Sequence, residues 1–109
     1  MKRYALALDL VDRPDMIAQY IAYHQEVWPE IKASILDTGI VNMEIYNYGN
    51  RLFMLMEVSD DFSFNRKANM DNSNTKVQQW EELMWKYQQA IPGAAEGEKW
   101  VLMDKIFQL

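Results

Sequence analysis

Four stretches of the chain alternate between bulky apolar residues and smaller or polar residues, and this period of two predicts β-strands. They lie at 3–11, 41–46, 52–58 and 100–109. A Tyr-Gly-Asn sequence at 48–50 separates the second stretch from the third and is typical of a hairpin turn. The bulky positions of the first three stretches are Tyr4, Leu6, Leu8 and Leu10, then Val41, Met43 and Ile45, then Leu52, Met54, Met56 and Val58.

A first helix is predicted between the first two strands, where apolar or aromatic residues recur at spacings of three and four. Asp12 is the expected N-cap, and Pro14 falls in the first turn, where its missing N–H costs nothing. Pro29 disfavours helical geometry at Trp28, so two helical pieces are expected to meet there. Gly39 is expected to end the second piece. The residues on the apolar face are Ile17, Ile21, His24, Trp28, Ile31 and Ile35.

A second long helix is predicted after the third strand, between the polar run at 71–74 and Pro92-Gly93. Its apolar face consists of Val77, Trp80, Met84, Tyr87 and Ile91. The segment at 59–69 that precedes it shows no sustained period, and we expect it to be irregular and at most briefly helical. The order of the elements along the chain is therefore βαββαβ.

This order is that of the ferredoxin-like α+β fold, in which a four-stranded antiparallel sheet carries both helices on one face. With 109 residues and no linker, repeat or low-complexity segment, the chain is expected to form one domain over 1–109. The strands at 41–46 and 52–58 carry apolar residues on both faces, so the open face is also expected to be covered. A homodimer that packs sheet on sheet, as in a dimeric α+β barrel, is the simplest cover.

The charge and the reactive side chains narrow the function classes. The chain has 16 acidic and 11 basic residues and a formal net charge of −5, which disfavours nucleic acid and anionic lipid as partners. It has no cysteine and one histidine, so disulfides, thiolate metal centres, thiol catalysis and multi-histidine metal sites are excluded. We therefore expect no metal site.

The location of the protein is expected to be cytoplasmic. No stretch approaches the roughly 18 consecutive apolar residues of a membrane span. Asp9 interrupts the first apolar run before it reaches the length that a signal peptide requires. We expect a soluble protein that does not bind membranes.

His24 is the only histidine, and its side chain is of the type that titrates near neutral pH. Tyr20 and Trp28 lie four residues to either side, so the three side chains share one helix face. The imidazole is either a hydrogen-bonded core or interface group, or a general acid or base beside a phenol and an indole. Trp80, which two glutamates follow, offers the flat apolar ring and the polar groups that bind a sugar.

The pattern Tyr-x3-His-x3-Trp-Pro-Glu at 20–30 resembles the L-rhamnose mutarotases, small dimeric α+β proteins of about this length that interconvert the anomers of a sugar. The resemblance covers nearly the whole chain. It is also carried by Gln19, Val27, Gly39, Asn42, Ile45-Tyr46, the stretch from Leu52-Phe53 to Glu57, and Gln79-Trp80. It implies an isomerase that acts on a 6-deoxyhexose such as L-rhamnose.

The resemblance also implies roles for single residues. His24 falls at the position of the family's proton donor, and Tyr20 at the position of a tyrosine that contacts the substrate. The substrate-binding residues that it implies are Tyr20, Trp28, Asn42, Phe64 and Trp80. Met43 and Glu81 depart from the family, which often has a tyrosine and a second tryptophan there. The type of reaction therefore transfers better than the identity of the sugar.

Mutarotation opens a sugar hemiacetal to the free aldehyde and closes it again on the other face. It requires one proton delivered to the ring oxygen and one removed from the anomeric hydroxyl, which one acid–base residue and a partner can supply. The resemblance implies a monosaccharide as partner and no metal or organic cofactor. Two alternatives stay open: a haem-binding or cofactorless monooxygenase of the dimeric α+β barrel type, and a non-catalytic sugar-binding module in which His24 is structural.

Overall fold

The computed structural model describes residues 1–109, which form five strands and four helices. In chain order these are β1 (Lys2–Leu10), α1 (Pro14–Gln25), α2 (Pro29–Asp37), β2 (Ile40–Tyr48), β3 (Arg51–Val58), α3 (Phe64–Asn72), α4 (Thr75–Trp85), β4 (Gln88–Gln89) and β5 (Val101–Leu102). The structure confirms the first predicted strand, the helix that is broken at Pro29, and the hairpin formed by the second and third strands. None of the helices combines the length and the hydropathy that crossing a membrane requires.

The strands form one antiparallel sheet in the order β2-β3-β1-β4, and β5 also pairs with β1. β1 and β3 occupy the centre, in a register that places Leu8 opposite Leu52. On the other side of β3, Ile45 of β2 lies opposite Met54. This is the strand order of the ferredoxin-like fold, so that prediction is confirmed. In the single chain the sheet is open and does not close into a barrel.

The core lies between the helices and one face of the sheet, as predicted. Burial alternates along β3, where every second residue from Leu52 to Val58 is buried. Two clusters of buried residues fill this layer: Leu10, Tyr20, Ile31, Leu52, Val77, Trp80, Met84 and Tyr87, and then Leu6, Ile40, Met54, Met56 and Val58. On the opposite face of the sheet Glu44 and Tyr46 are exposed.

Local sequence explains where the first two helices separate and end. Trp28 has extended backbone geometry before Pro29, with φ −55° and ψ 135°, so α1 and α2 are separate as predicted. The chain leaves α2 through Gly39, whose φ of +97° strains any residue with a Cβ. The prediction of Asp12 as N-cap is wrong, because Arg13 occupies that position and no side chain caps the helix.

The segment that was predicted to be irregular contains the helix α3. Its N-cap is Ser63, whose hydroxyl oxygen accepts a hydrogen bond from the backbone N–H of Arg66. The Arg66 guanidinium donates to the carbonyl oxygen of Thr38 at 3.3 Å, which ties α3 to the end of α2. Capping and tertiary contacts therefore stabilise α3, and neither produces a hydrophobic period in the sequence.

The last helix and the last strand are shorter than predicted. α4 ends at Trp85, although Tyr87 is buried in the core as its spacing indicated. The helix stops because the backbone at 88–89 pairs with β1. The strand predicted over 100–109 is reduced to the two residues of β5, since only 101–102 pair with β1.

Candidate active site

A cavity of about 530 Å³ lies between the sheet and the helices. Small-molecule sites occupy roughly 300–1,000 Å³, so the cavity has room for one small ligand. Most of its wall is apolar: Leu6, Met43, Ile45, Met54 and Met56 come from the sheet, and Val27, Ile31, Ile35, Val77 and Met84 from the helices or from the link between α1 and α2. A smaller set of polar side chains interrupts this wall and gives the cavity its chemistry.

Four predicted site residues line this cavity together: Tyr20, His24, Phe64 and Trp80. Tyr20 and His24 are one turn apart on α1, with ring centroids separated by 4.4 Å. Trp80 of α4 lies edge-on to His24 at 5.7 Å between centroids. Phe64 enters from the start of α3 and packs edge-on against Tyr4 at 4.9 Å. The fold thus brings residues of three helices, far apart in the chain, to one cavity.

The His24 imidazole is held in one orientation by its own helix. Its Nδ1 lies 2.9 Å from the carbonyl oxygen of Tyr20. A carbonyl oxygen only accepts hydrogen bonds, so Nδ1 carries the hydrogen and donates it. The other ring nitrogen, Nε2, has no hydrogen-bond partner within the chain and is therefore the nitrogen available to a ligand in the cavity.

Burial sets the protonation state of His24. It lowers the pKa of the imidazole below the ordinary value of 6.5, and the hydrogen bond to the Tyr20 carbonyl opposes this shift. The neutral form therefore predominates at neutral pH. With Nδ1 protonated, a neutral imidazole presents the lone pair of Nε2, so His24 first acts as a base and becomes an acid once it has accepted a proton.

The Tyr20 hydroxyl is a second group that can transfer a proton in the cavity. Its oxygen accepts a hydrogen bond of 3.2 Å from Nε2 of Gln88, which leaves the phenolic hydrogen free for another acceptor. Burial raises the pKa of Tyr20 above 10.0, and the Gln88 bond acts in the opposite direction. Tyr20 is therefore a neutral donor at physiological pH. Gln88 lies just beyond α4, and no sequence pattern marked it.

Two predicted substrate-binding residues lie away from the cavity. Trp28 is partly buried behind Trp80, and the two indoles meet edge-on with centroids 5.1 Å apart. Asn42 is exposed and lies opposite Glu57, at a bulge in the pairing of β2 and β3. The structure therefore does not bring Trp28 or Asn42 to the cavity that holds His24.

Four polar cavity residues escaped the sequence reasoning besides Gln88. One of them is Ser34 of α2, whose hydroxyl donates to the carbonyl oxygen of Ile31. Lys67 and Asp71 of α3 form an ion pair at 2.5 Å. Lys99, just before β5, also lines the cavity. None of them belongs to an apolar stripe or a recognisable motif. No group of three or more His, Asp or Glu side chains is arranged to hold a metal ion.

Comparison with known sequences decides the family. A sequence model described as L-rhamnose mutarotase matches residues 3–109. The chain belongs to the L-rhamnose mutarotase family. It is 46% identical over 111 residues to the L-fucose mutarotase of Xanthomonas campestris pv. campestris, and the alignment covers 100% of this chain and 89% of that protein. The family that the Tyr-His-Trp-Pro-Glu pattern indicated is thereby confirmed.

Solved structures with the same fold support the architecture of this family member. An L-rhamnose mutarotase from Formosa agariphila matches with a TM-score of 0.74 and 22% identity, over 100% of this chain and 99% of that chain. Tetracenomycin F2 cyclase from Streptomyces glaucescens, a type-II polyketide cyclase, matches with a TM-score of 0.63 and 17% identity, over 100% and 97%. One fold thus serves different chemistry, and the side chains in the cavity decide which.

The two positions at which this mutarotase-family chain departs from the pattern both line the cavity. Met43 reaches it from β2 and Glu81 from α4. A thioether replaces a phenol at the first position, and a carboxylate replaces an indole at the second. Both exchanges alter the hydrogen bonding available to a ligand while His24 and Tyr20 are retained.

Proposed function

We propose that the chain is a mutarotase that interconverts the α and β anomers of a 6-deoxyhexose, with His24 as its acid–base residue. The observation that carries this proposal is the pair of proton-transfer groups in one cavity. His24 presents a free Nε2, because Nδ1 is bonded to the Tyr20 carbonyl, and the Tyr20 hydroxyl retains a free hydrogen. Mutarotation requires one group of each kind.

The proposed reaction begins with the neutral imidazole. Nε2 of His24 removes the proton of the anomeric hydroxyl, the bond between C1 and the ring oxygen breaks, and the C1 carbonyl forms. The Tyr20 hydroxyl gives its proton to the departing ring oxygen. After rotation about the C1–C2 bond, the ring oxygen attacks the other face of the carbonyl and both protons return. His24 is thus a base in ring opening and donates its proton to the C1 oxygen in closure. In this proposal Tyr20 is the donor to the ring oxygen, which departs from the donor role that the family resemblance implies for His24.

The cavity wall fits a sugar that lacks its C6 hydroxyl. Trp80 supplies a flat ring for the C–H face of a pyranose, and Met43, Met54 and Met56 supply apolar surface for a methyl group. We place L-fucose first among substrates, because the relative at 46% identity is an L-fucose mutarotase. L-Rhamnose, which gives the family its name, is the second 6-deoxyhexose to test.

A comparison of four sugars tests this assignment. Exchange between anomeric protons is measured at equilibrium by NMR with L-fucose, L-rhamnose and the sugars that differ from them only by a C6 hydroxyl, L-galactose and L-mannose. We expect the rate for each 6-deoxyhexose to exceed the rate for its C6-hydroxyl counterpart by about tenfold or more, because burial of one methyl and loss of one misplaced hydroxyl together contribute that much discrimination. Equal rates for all four sugars would contradict the assignment.

The dependence of the rate on pH tests the protonation state of His24. The pKa of His24 is lowered by burial, and the neutral imidazole is the active form in ring opening. The exchange rate is therefore expected to rise with pH through a value below 6.5 and to reach a plateau near neutrality. A rate that falls as pH rises over this range would show that the imidazolium is the form that starts the reaction.

Trp28 is proposed to support Trp80 rather than to contact the sugar. Trp28→Phe shortens the ring that meets Trp80 edge-on and is expected to lower the free energy of unfolding by about 1 kcal/mol. The ratio of exchange rates for L-fucose and L-rhamnose should stay unchanged, because Trp28 does not line the cavity. Urea unfolding and the NMR assay measure the two effects. A changed sugar preference without loss of stability would contradict this role.

We further propose a cytoplasmic homodimer that pairs through the open face of the sheet. That face exposes 53% of Tyr46, and the last residues of the chain expose Ile106, Phe107 and Leu109. A second copy would remove this apolar surface from water. The absence of cysteine suits a reducing compartment. Light scattering after size exclusion is expected to give twice the mass of 12.9 kDa, and a monomer would contradict the proposal.

A further inference from the structure

An ion pair on α3 faces the cavity, in a wall that is otherwise mostly apolar. Lys67 and Asp71 are four residues apart, and Nζ lies 2.5 Å from Oδ2. Asp71 is only 9% exposed and is one of three buried polar or charged residues in the chain. The mechanism proposed above uses neither side chain.

The other two buried polar residues have partners inside the fold. Asp9 pairs with Arg51 across the sheet, and the Thr38 hydroxyl donates to the carbonyl oxygen of Ile35 at 2.6 Å. Asp71 differs, since only Oδ2 of its carboxylate has a partner, which is Lys67. Its Oδ1 and two of the three ammonium hydrogens of Lys67 have no hydrogen bond within the chain.

Helix stability does not explain why the pair is there. Asp71 lies in the last turn of α3, where the helix dipole disfavours a negative charge. Lysine precedes the acid by four residues, which is the less favourable order for such a pair on a helix. Burial adds the cost of removing most of the Asp71 carboxylate from water, while the Lys67 side chain stays 29% exposed. These three costs point to a role in binding a ligand.

The chemistry of the pair matches a neutral polyol. Its charges cancel, so it favours neither an anion nor a cation. A sugar hydroxyl both donates and accepts hydrogen bonds, and hydrogen bonds to charged partners are the stronger kind. Oδ1 of Asp71 can accept from one hydroxyl while Nζ of Lys67 donates to a neighbouring hydroxyl of the same ring.

We propose that Lys67 and Asp71 bind two ring hydroxyls of the substrate and thereby select which hexose the cavity accepts. This inference rests on the proposed function only in taking the ligand to be a monosaccharide. It assigns to α3 the recognition of hydroxyls, while Tyr20 and His24 of α1 carry out the proton transfers.

The test compares Asp71→Asn with the wild type for binding of L-fucose and its 2-, 3- and 4-deoxy analogues. Kd is measured by NMR titration, and kcat is measured by anomer exchange. Asp71→Asn is expected to raise the Kd of L-fucose by roughly tenfold or more, because it weakens a hydrogen bond to a charged group. One of the deoxy analogues should bind the wild type with a Kd raised by the same factor, because that analogue lacks the hydroxyl that Asp71 binds. Asp71→Asn should not raise the Kd of this analogue any further. The kcat for L-fucose should change by less than about threefold, since the loss is in binding.

Two further variants keep the outcome interpretable. Asp15 of α1 forms an exposed ion pair with Arg13, the residue before the helix. Asp15→Asn is therefore the matched control and should leave every Kd unchanged. Lys67→Met should also raise the Kd of L-fucose, and it should leave unchanged the Kd of a second deoxy analogue, the one that lacks the hydroxyl bound by Lys67. This variant tests the inference if Asp71→Asn does not fold. Equal losses for L-fucose and all three analogues, or a Kd for L-fucose within twofold of the wild type, would overturn the inference. A wild type that binds L-fucose without exchanging its anomers contradicts the proposed activity alone, whereas one that binds none of these sugars overturns both.

Discussion

Replacing His24 with alanine is expected to lower the rate of anomer exchange by about 10²–10⁴-fold, which is the contribution of one positioned acid–base group. The loss should be large because the chain has no second histidine and Tyr20 is held as a neutral donor. Sugar binding should largely remain, since Trp80 and the apolar wall are unchanged. Equilibrium NMR exchange measures the rate, and titration measures the Kd.

The matched control for this change is Gln25→Ala, at the next position of α1, where the side chain is exposed. It should leave the exchange rate within about twofold of the wild type, as surface substitutions usually do. Added imidazole is expected to restore part of the activity of His24→Ala, because the substitution leaves space in the cavity. A His24→Ala protein that keeps more than about a tenth of the wild-type rate would show that another group transfers the proton.

Leu8→Ala is expected to have the largest effect on stability, with a loss of about 2–5 kcal/mol in the free energy of unfolding. Leu8 lies in the central strand β1, is 0% exposed and sits opposite Leu52. Neighbours on both sides of the strand cannot close the space that its side chain leaves, because the backbone register fixes them. Urea unfolding, followed by tryptophan fluorescence, measures the change.

The control for this prediction is Leu36→Ala on α2, where the leucine side chain is 62% exposed. The same four carbon atoms are exchanged for a methyl group, but little surface is taken out of water in the folded state. Its expected effect is within about 0.5 kcal/mol of zero. If both variants lost the same free energy, the position of the core between the helices and the inner face of the sheet would be wrong.

The sequence predicted the elements whose hydrophobic period agrees with their tertiary contacts. β3 alternates in sequence and in burial. The proline after Trp28 predicts a break in the helix, and α2 begins at that proline in the structure. The hydrophobic period gave a wrong prediction where strand pairing decides how long an element is. The alternation after Trp100 continues to the end of the chain, yet only 101–102 pair with β1. The local sequence pattern does not show how many residues of β1 are available to pair with this last strand.

The candidate site divides in the same way. Tyr20 and His24 lie one helical turn apart, so their proximity follows from spacing alone. Asp71 reaches the cavity because α3 packs over it, and no sequence spacing relates that helix to α1. Asn42 alternates with Met43, so the pleat of β2 separates it from the cavity that Met43 lines. The family resemblance suggested Asn42, whereas the geometry of the strand places it elsewhere.

The most direct test of the central claim is equilibrium exchange spectroscopy of L-fucose with a catalytic amount of the protein. The cross-peaks between the α and β anomeric protons report interconversion without a coupled reaction. We expect the wild type to accelerate exchange over buffer by about 10²-fold or more, as the pair of His24 and Tyr20 should provide. Exchange at the buffer rate for L-fucose and L-rhamnose, from protein shown to be folded, would contradict the assignment of this cavity as a mutarotase site.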